Sequence, residues 1–430
     1  MRRQHIGEEI AAHINRDSKQ LFGQELTNTQ TVDAILADIR TNGDRAVRKY
    51  SEFFDGFTAE NFFVSNDEIR SAYTNTSDRL KKALKKVARN IERFQKRLLP
   101  RDIKPARGSG VGLKGAFYRP VEKVGIYVPG GTGGKTPLCS SVLMNAIPAA
   151  VAGVDSIYMA TPAGADGDIA PAILVAADMV GIKSILKIGG VQAIAAFAYG
   201  TESVPAVDKI AGPGNVFVTL AKKRVFGVVD IDLIAGPSEI LIIADERTAP
   251  EKVAADMLSQ AEHDEVASSI LITDSVPLAK DVQKELTEQV RALSRRETAE
   301  KALENYGAII VVSTIMEAVS LTNRIAPEHL ELMVENPERL LPDIRNAGAV
   351  FLGANTPEAV GDYYAGPSHT LPTSGAARFS SGLSALSFLK MSSLMEFQED
   401  ELVECSDAVI ELAEAEGLTA HAESVRKRIP

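Results

Sequence analysis

The sequence is short of the features that mark an exported, membrane-spanning or nucleic-acid-binding chain. Only two cysteines, Cys139 and Cys405, stand in 430 residues. They cannot build a disulfide framework, and neither belongs to a Cys-x-x-Cys pair, so a reducing cytoplasm is the expected compartment. Positive charge is in deficit: 47 Lys+Arg against 57 Asp+Glu give a net charge of −10, which argues against nucleic acid as a principal partner. Long apolar runs are missing too. The longest tract, Ser141 to Val154, is broken by Asn145 and Pro148 and falls short of the ~20 residues a spanning helix needs, so no membrane segment is expected. Met1-Arg2-Arg3 is basic, but His5 to Arg16 is polar and amphipathic, and no secretory segment is expected to follow.

What is present has the make-up of an ordinary soluble globular protein, 45% hydrophobic and 24% charged, and the length suggests two or three domains. Apolar spacing predicts a short amphipathic helix from about Ile6 to Phe22 and a second over Thr29 to Asn42, with Gly43-Asp44 ending one helix and starting another. A longer helix is expected from about Ser77 to Leu98. Its stripe of Leu80, Leu84, Val87, Ile91, Phe94 and Leu98 would cover a core or another subunit.

From Val111 the pattern turns to strand, and from Lys123 onward short apolar runs alternate with helical stretches. Strands are expected at Gly125–Val128, Ser156–Met159, Ser184–Lys187 and Val207–Ile210, with helices between them. After Gly236-Pro237 the alternation restarts, with strands at Glu239–Ala244, Ser268–Thr273, Ala308–Val312 and Ala349–Leu352. The fold class implied is α/β: two mostly parallel-sheet, Rossmann-like domains of similar grammar, with helical appendages at both ends. Beyond Ser380 the chain is expected to return to helix, with Glu401–Glu416 ended by Gly417 and a last helix capped by Thr419.

The stretch Leu258 to Glu265 sets Gln260 and His263 three residues apart at the end of an expected helix, on one face. An imidazole nitrogen and an amide oxygen there suit a divalent ion, zinc above all, although a solvated acidic helix end is the commoner meaning of such residues. Six histidines are thinly spread, and His263, His329, His369 and His421 fall in polar, turn-rich segments. In Ile325-Ala326-Pro327-Glu328-His329 a proline precedes an adjacent acid and base, a pair able to activate water and move protons near neutral pH. The plain alternative is a turn with a surface acid and a packed histidine. Thr356-Pro357-Glu358 reads as a helix start with Thr as cap, placing Asp362 at the end of a short helix as a conceivable ligand. Glu416 and His421 flank Gly417 and could converge across a turn. Two glycine-rich stretches, Val128 to Gly134 and Gly212-Pro213-Gly214-Asn215, follow expected strands, where backbone amides can approach phosphate. Neither has the Gly-x-Gly-x-x-Gly spacing of a dinucleotide fingerprint, and either could be a structural turn.

Taken together these stretches resemble one family, histidinol dehydrogenase of histidine biosynthesis. The motifs are Val124 to Gly131, Gly189 to Ala195, Gly200 to Pro205, Gly212 to Asn215, Ala235 to Glu239, Ser259 to His263, Ala326 to Leu330, Gly361-Asp362-Tyr363 and Glu416 to His421. The resemblance implies an NAD-dependent homodimer with one zinc per active site, oxidising L-histidinol through L-histidinal to L-histidine by two hydride transfers. By that resemblance Gln260, His263, Asp362 and His421 ligate zinc, and Glu328 and His329 do the acid–base work. Substrate would be held by Ser238, Gln260, His263, His329, Asp362, Glu416 and His421, with Tyr127, Gln192 and Asn215 near NAD. The organisation it implies is a helical segment 1–22, a zinc-side α/β domain of 23–125 and 238–380, an NAD-side α/β domain 126–237, and a C-terminal dimerisation segment 381–430. That last segment would bring Glu416 and His421 to the partner's site. Departures fall at Thr132 to Thr136 and at Ser368-His369-Thr370. Competing expectations are a dehydrogenase of another polar alcohol, a zinc hydrolase built on the same residues, or a silent binding protein.

Overall fold

The computed structural model describes residues 12–57, 61–106, 112–130 and 137–430. The glycine-rich loop from Gly131 to Thr136 and His5 lie outside the described residues. Near the N-terminus the described chain is helical at Ala12 and again over Ser18–Phe22, α1, and the first part of the helix expected from Ile6 lies outside the described residues. The longer helix expected there is interrupted because Asn15 turns the chain back: its backbone N–H donates to the Leu26 carbonyl at 2.7 Å, and Ile14 bridges Thr27.

Helices α2 (Asn28–Asp55), α3 (Asn66–Asn75) and α4 (Asp78–Leu98) follow. The break expected at Gly43-Asp44 is present as a kink, with Gly43 at φ 49°, ψ −133°. The Glu202 carboxylate, far along the chain, accepts the Asp44 N–H at 2.8 Å and so caps the second half of α2. The strands β1 (Ile103–Ala106) and β2 (Leu113–Pro120) then pair antiparallel.

The first α/β unit runs β3 (Lys123–Tyr127), α5 (Cys139–Ala152), β4 (Ser156–Thr161), α6 (Pro171–Met179), β5 (Ser184–Lys187), α7 (Gly190–Tyr199), β6 (Lys209–Ala211), α8 (Val216–Val225) and β7 (Asp230–Ile231). Its strands are all parallel in the order β5-β4-β3-β6-β7. The second unit repeats the plan with β8 (Glu239–Ala244), α9 (Pro250–Ala261), β9 (Ser268–Thr273), α10 (Val276–Gln289), α11 (Arg296–Tyr306), β10 (Ala308–Val311), α12 (Ile315–Ile325), β11 (His329–Met333), β12 (Ala349–Leu352) and α13 (Glu358–Tyr363). Its order is β10-β9-β8-β11-β12, again parallel. In both sheets the first strand sits in the middle and the order reverses beside it, the doubly wound arrangement of a Rossmann-like unit.

The chain ends with β13 (Leu389–Glu396), α14 (Glu399–Ala415) and α15 (Thr419–Arg426). The return to helix expected after Ser380 is thus delayed: β13 pairs with β2 over eight residues, its strand character hidden by Lys390, Ser392 and Ser393 on an exposed edge. No helix among the described residues is long and apolar enough to cross a membrane.

Helices α2 to α4 cover the first sheet and not the second. Val32, Ile35, Val47 and Tyr50 share a core with Ile194 and Phe197 of α7, while Leu84 and Ile91 pack with Leu143 and Ile147 of α5. An apolar stripe says that a helix covers something, but not which of two similar sheets it covers.

Candidate active site and metal centre

β11 reads His-Leu-Glu-Leu-Met. Leu330 and Leu332 enter the core with Ala318 and Val319 of α12, so strand alternation turns His329, Glu331 and Met333 to the other face, where α9 packs. His329 is therefore the first residue of a buried central strand, not part of a turn. The apolar signal was masked because two of five positions carry polar side chains.

Glu328 and His329 are both anchored by the peptide groups of one residue, Glu239 at the start of β8. The Glu239 N–H donates to the Glu328 carboxylate at 2.9 Å, and the Glu239 carbonyl lies 3.0 Å from His329 Nδ1. A carbonyl can only accept, so Nδ1 carries the proton and Nε2 faces the site. Nε2 has no hydrogen-bond partner; Asp362 Oδ1 is 3.7 Å away and Glu358 Oε1 3.9 Å. Burial pushes the Glu328 carboxyl up to about 8, against the pull of His329. Burial also opposes charge on His329, but Glu328, Asp362 and Glu358 outweigh it and push the imidazole up to about 10. The chain enters this pair through Ala326, buried and left-handed at φ 56°, a local cost the site retains.

Beside the pair, His263, Glu358 and Asp362 offer ligand atoms that lie within 4.8 Å of one another. His263 stands just past α9, its backbone N–H donating to the Gln260 carbonyl at 3.2 Å. Glu358 and Asp362 are one turn apart on α13, and Ser259 Oγ donates to the Glu358 carboxylate at 2.9 Å. Gln260 is fully buried, and neither its amide oxygen nor its amide nitrogen has a protein partner. Two carboxylates and an imidazole, with a buried unsatisfied amide three residues before the imidazole, offer nitrogen and oxygen donors that suit a divalent cation such as zinc.

The carboxyl edge of the first sheet faces this centre. Ser141, in the first turn of α5, has Oγ 3.4 Å from His369 Nε2, and Thr370 Oγ1 donates to Asn145 Oδ1 at 3.2 Å. At that edge the Tyr127 hydroxyl, ending β3, accepts the Gly190 N–H at 3.1 Å, and Gln192 Nε2 donates to Asp55 at 3.3 Å. Asn215 caps α8, its side-chain oxygen accepting from the Phe217 and Val218 amides at 3.1 Å. Gly212 has to be glycine: a Cβ there would stand 2.0 Å from the Tyr127 carbonyl oxygen. These residues line the point between β3 and β6 where the strand order reverses, the usual place for a nucleotide.

Of the expected site residues, the fold gathers Gln260, His263, Glu328, His329 and Asp362 around one centre. Ser238 is next to Glu239, and its own carbonyl accepts the Ser268 N–H at 3.0 Å. Tyr127, Gln192 and Asn215 share the facing sheet edge. Glu416 and His421 are exposed, the first ending α14 and the second inside α15, and neither joins the cluster within this chain. Two participants were missed. Glu358 read only as a helix start, and the expected Thr356 cap does not form: Thr356 Oγ donates back to the Leu352 carbonyl at 2.8 Å and the helix begins after Pro357. Thr419 likewise is the first residue of α15 and not its cap. His369, assigned to a polar loop, faces Asp362, His263 and His329, and burial holds its imidazole below the usual range. Spacing of four between Glu358 and Asp362 was the signal available for the first; nothing local marks the second.

A two-sheet α/β enzyme, with a buried acid–base pair beside a metal-competent cluster and a nucleotide-type sheet edge facing both, is the class these features define. The chain belongs to the histidinol dehydrogenase family of oxidoreductases: the family profile matches residues 20–429. It is 49% identical to a histidinol dehydrogenase of Clostridium acetobutylicum over 399 residues, covering 93% of this chain and 92% of that one. A histidinol dehydrogenase 2 of Trichormus variabilis is 50% identical over 424 residues, covering 98% and 97%. The crystal structure of histidinol dehydrogenase from Elizabethkingia anophelis superposes with a TM-score of 0.90 at 37% identity, covering 99% of this chain and 95% of that one.

Proposed function

We propose that the protein oxidises L-histidinol through L-histidinal to L-histidine in the cytoplasm, with NAD at the Tyr127, Gln192 and Asn215 edge and one zinc ion per active site. The observation that carries this reading is the juxtaposition, in a chain of this family, of His329 Nε2 and the Glu328 carboxyl with the cluster of His263, Glu358 and Asp362. Gln260, His263 and Asp362 would hold the ion together with His421 from a second copy of the chain. When bound, the ion supplies a fixed positive charge to which the imidazole and amine of histidinol can be drawn.

His329, locked by Glu239 with Nε2 free, takes the alcohol proton as hydride leaves carbon for the nicotinamide. Glu328, in its ionised form, takes a proton from the water that adds to the aldehyde, and a second hydride leaves. One histidinol, one water and two NAD thus give one histidine, two reduced nicotinamides and three protons. Ser238, beside Glu239, and the Glu416 carboxylate of the second copy would hold the substrate, the latter through its ammonium. Enclosure between the two sheets keeps the reactive aldehyde from solvent. The homodimer is supported by apolar surface that a single chain leaves uncovered, with Met391 and Met395 of β13, Leu412 of α14 and Leu418 all exposed.

The test is absorbance of reduced nicotinamide with purified protein, NAD and histidinol, where two equivalents per histidinol are expected. Turnover of another alcohol but not histidinol, or hydrolysis without NAD, would overturn the assignment.

A further inference from the structure

α13 is a single turn of helix, yet it carries both Glu358 and Asp362 to the metal cluster, and its own sequence does not cap it. Its first amide is satisfied from elsewhere: the Glu358 N–H donates to Glu331 Oε1 at 2.7 Å. Glu331 lies on β11 two residues beyond His329, on the same face, and is fully buried. Its other oxygen is buried without a donor, and its carboxyl interacts with that of Asp256 on α9, one turn before Gln260. Two buried carboxyls can lie against each other only when a proton is held between them.

We infer that Glu331 is a positioning residue for the metal site: it caps α13 across the fold, is itself held by Asp256, and so fixes Glu358 and Asp362 at the distance the ion requires. An acceptor oxygen at a helix N-terminus satisfies an orphan amide. Because α13 has no cap of its own, the placement of the Asp362 ligand and of Glu358 beside it leans on this contact. Ser259, one turn along α9, fixes the Glu358 side chain itself, so α9 braces α13 twice, once through Glu331 and once directly.

This rests on the zinc reading above, and zinc affinity tests both. Metal-stripped protein would be titrated with zinc against a chelator of known affinity, and melting temperatures taken without metal. Glu331→Gln keeps an oxygen for the Glu358 N–H and gains an N–H for Asp256, so it should bind zinc within about threefold of the native chain. Glu331→Asp keeps a carboxyl but withdraws the oxygen by one methylene, and Glu331→Met removes it; both should bind at least tenfold more weakly while still folding without metal. If Glu331→Met fails to fold, Glu331→Asp carries the comparison. Equal affinity in the native chain, the Gln and the Asp variants overturns the inference but leaves the zinc reading standing. A native chain that binds no zinc overturns both.

Discussion

Glu239 shows how a residue with no chemistry of its own can set the chemistry of two others: its N–H and carbonyl fix the Glu328 carboxylate and the His329 tautomer. Both of those groups must lose a proton to act as bases, and Glu328 is pushed up to about 8 and His329 up to about 10. Activity should therefore rise as pH increases from about 8 towards about 10, and a rate profile peaking in acid would contradict these roles. Glu328→Gln can still accept from Glu239 but cannot take a proton. In rapid-mixing experiments on nicotinamide absorbance it should largely keep the first hydride transfer and slow the second by about 10²-fold; equal loss of both steps would exclude a water-activating role. Asp55 allows a stability test away from the chemistry. Burial pushes its carboxyl from 3.8 up to about 6, against hydrogen bonds from Gly189 and Gln192. An acid with a raised pKa adds stability below its unfolded value and loses it as pH rises through the folded one. Asp55→Asn does not titrate, so its stability relative to the native chain should improve by about 1 kcal/mol between pH 5 and pH 8 in urea unfolding.

At the scale of elements, several of the decisive caps come from distant parts of the chain. α2 is restarted at Asp44 by Glu202, and α13 is begun at Glu358 by Glu331. Gly43 makes the first of these possible. Its φ of 49° suits glycine, and a Cβ would stand 2.2 Å from the Glu202 carboxylate. Gly43→Ala should therefore lower stability by about 2 kcal/mol, combining left-handed strain with loss of the cap, and calorimetry would read this as a lower melting temperature. An unchanged melting temperature would mean that the kink is incidental.

For the whole molecule, the proposed site draws on two chains, because Glu416 and His421 stand exposed while the cluster they would complete lies across the second sheet. Glu328→Gln and His421→Asn chains should each form inactive or weak homodimers. After subunit exchange, half the molecules are mixed dimers in which one of the two sites holds both lesions and the other holds none. About a quarter of native activity should return, measured as nicotinamide reduction on mixing. If each chain completed its own site, every site would keep a lesion and nothing would return.

The alternation of short apolar runs with helical stretches was enough, by itself, to determine two parallel α/β units, because strands buried on both faces are mostly apolar. Residue order also determined which chemistry was at hand: the Glu328-His329 pair, the Gln260 and His263 helix end, and Asp362. Only the tertiary structure decided that His329 opens a central strand, that Glu358 and His369 join the centre, and that α2 to α4 cover the first sheet. It also decided that Glu331 and not Thr356 caps α13. These depend on contacts between residues up to about a hundred positions apart or more, as from Ser259 to Glu358. Local spacing constrains which face a side chain takes, whereas what lies opposite that face is set by how the sheets are stacked.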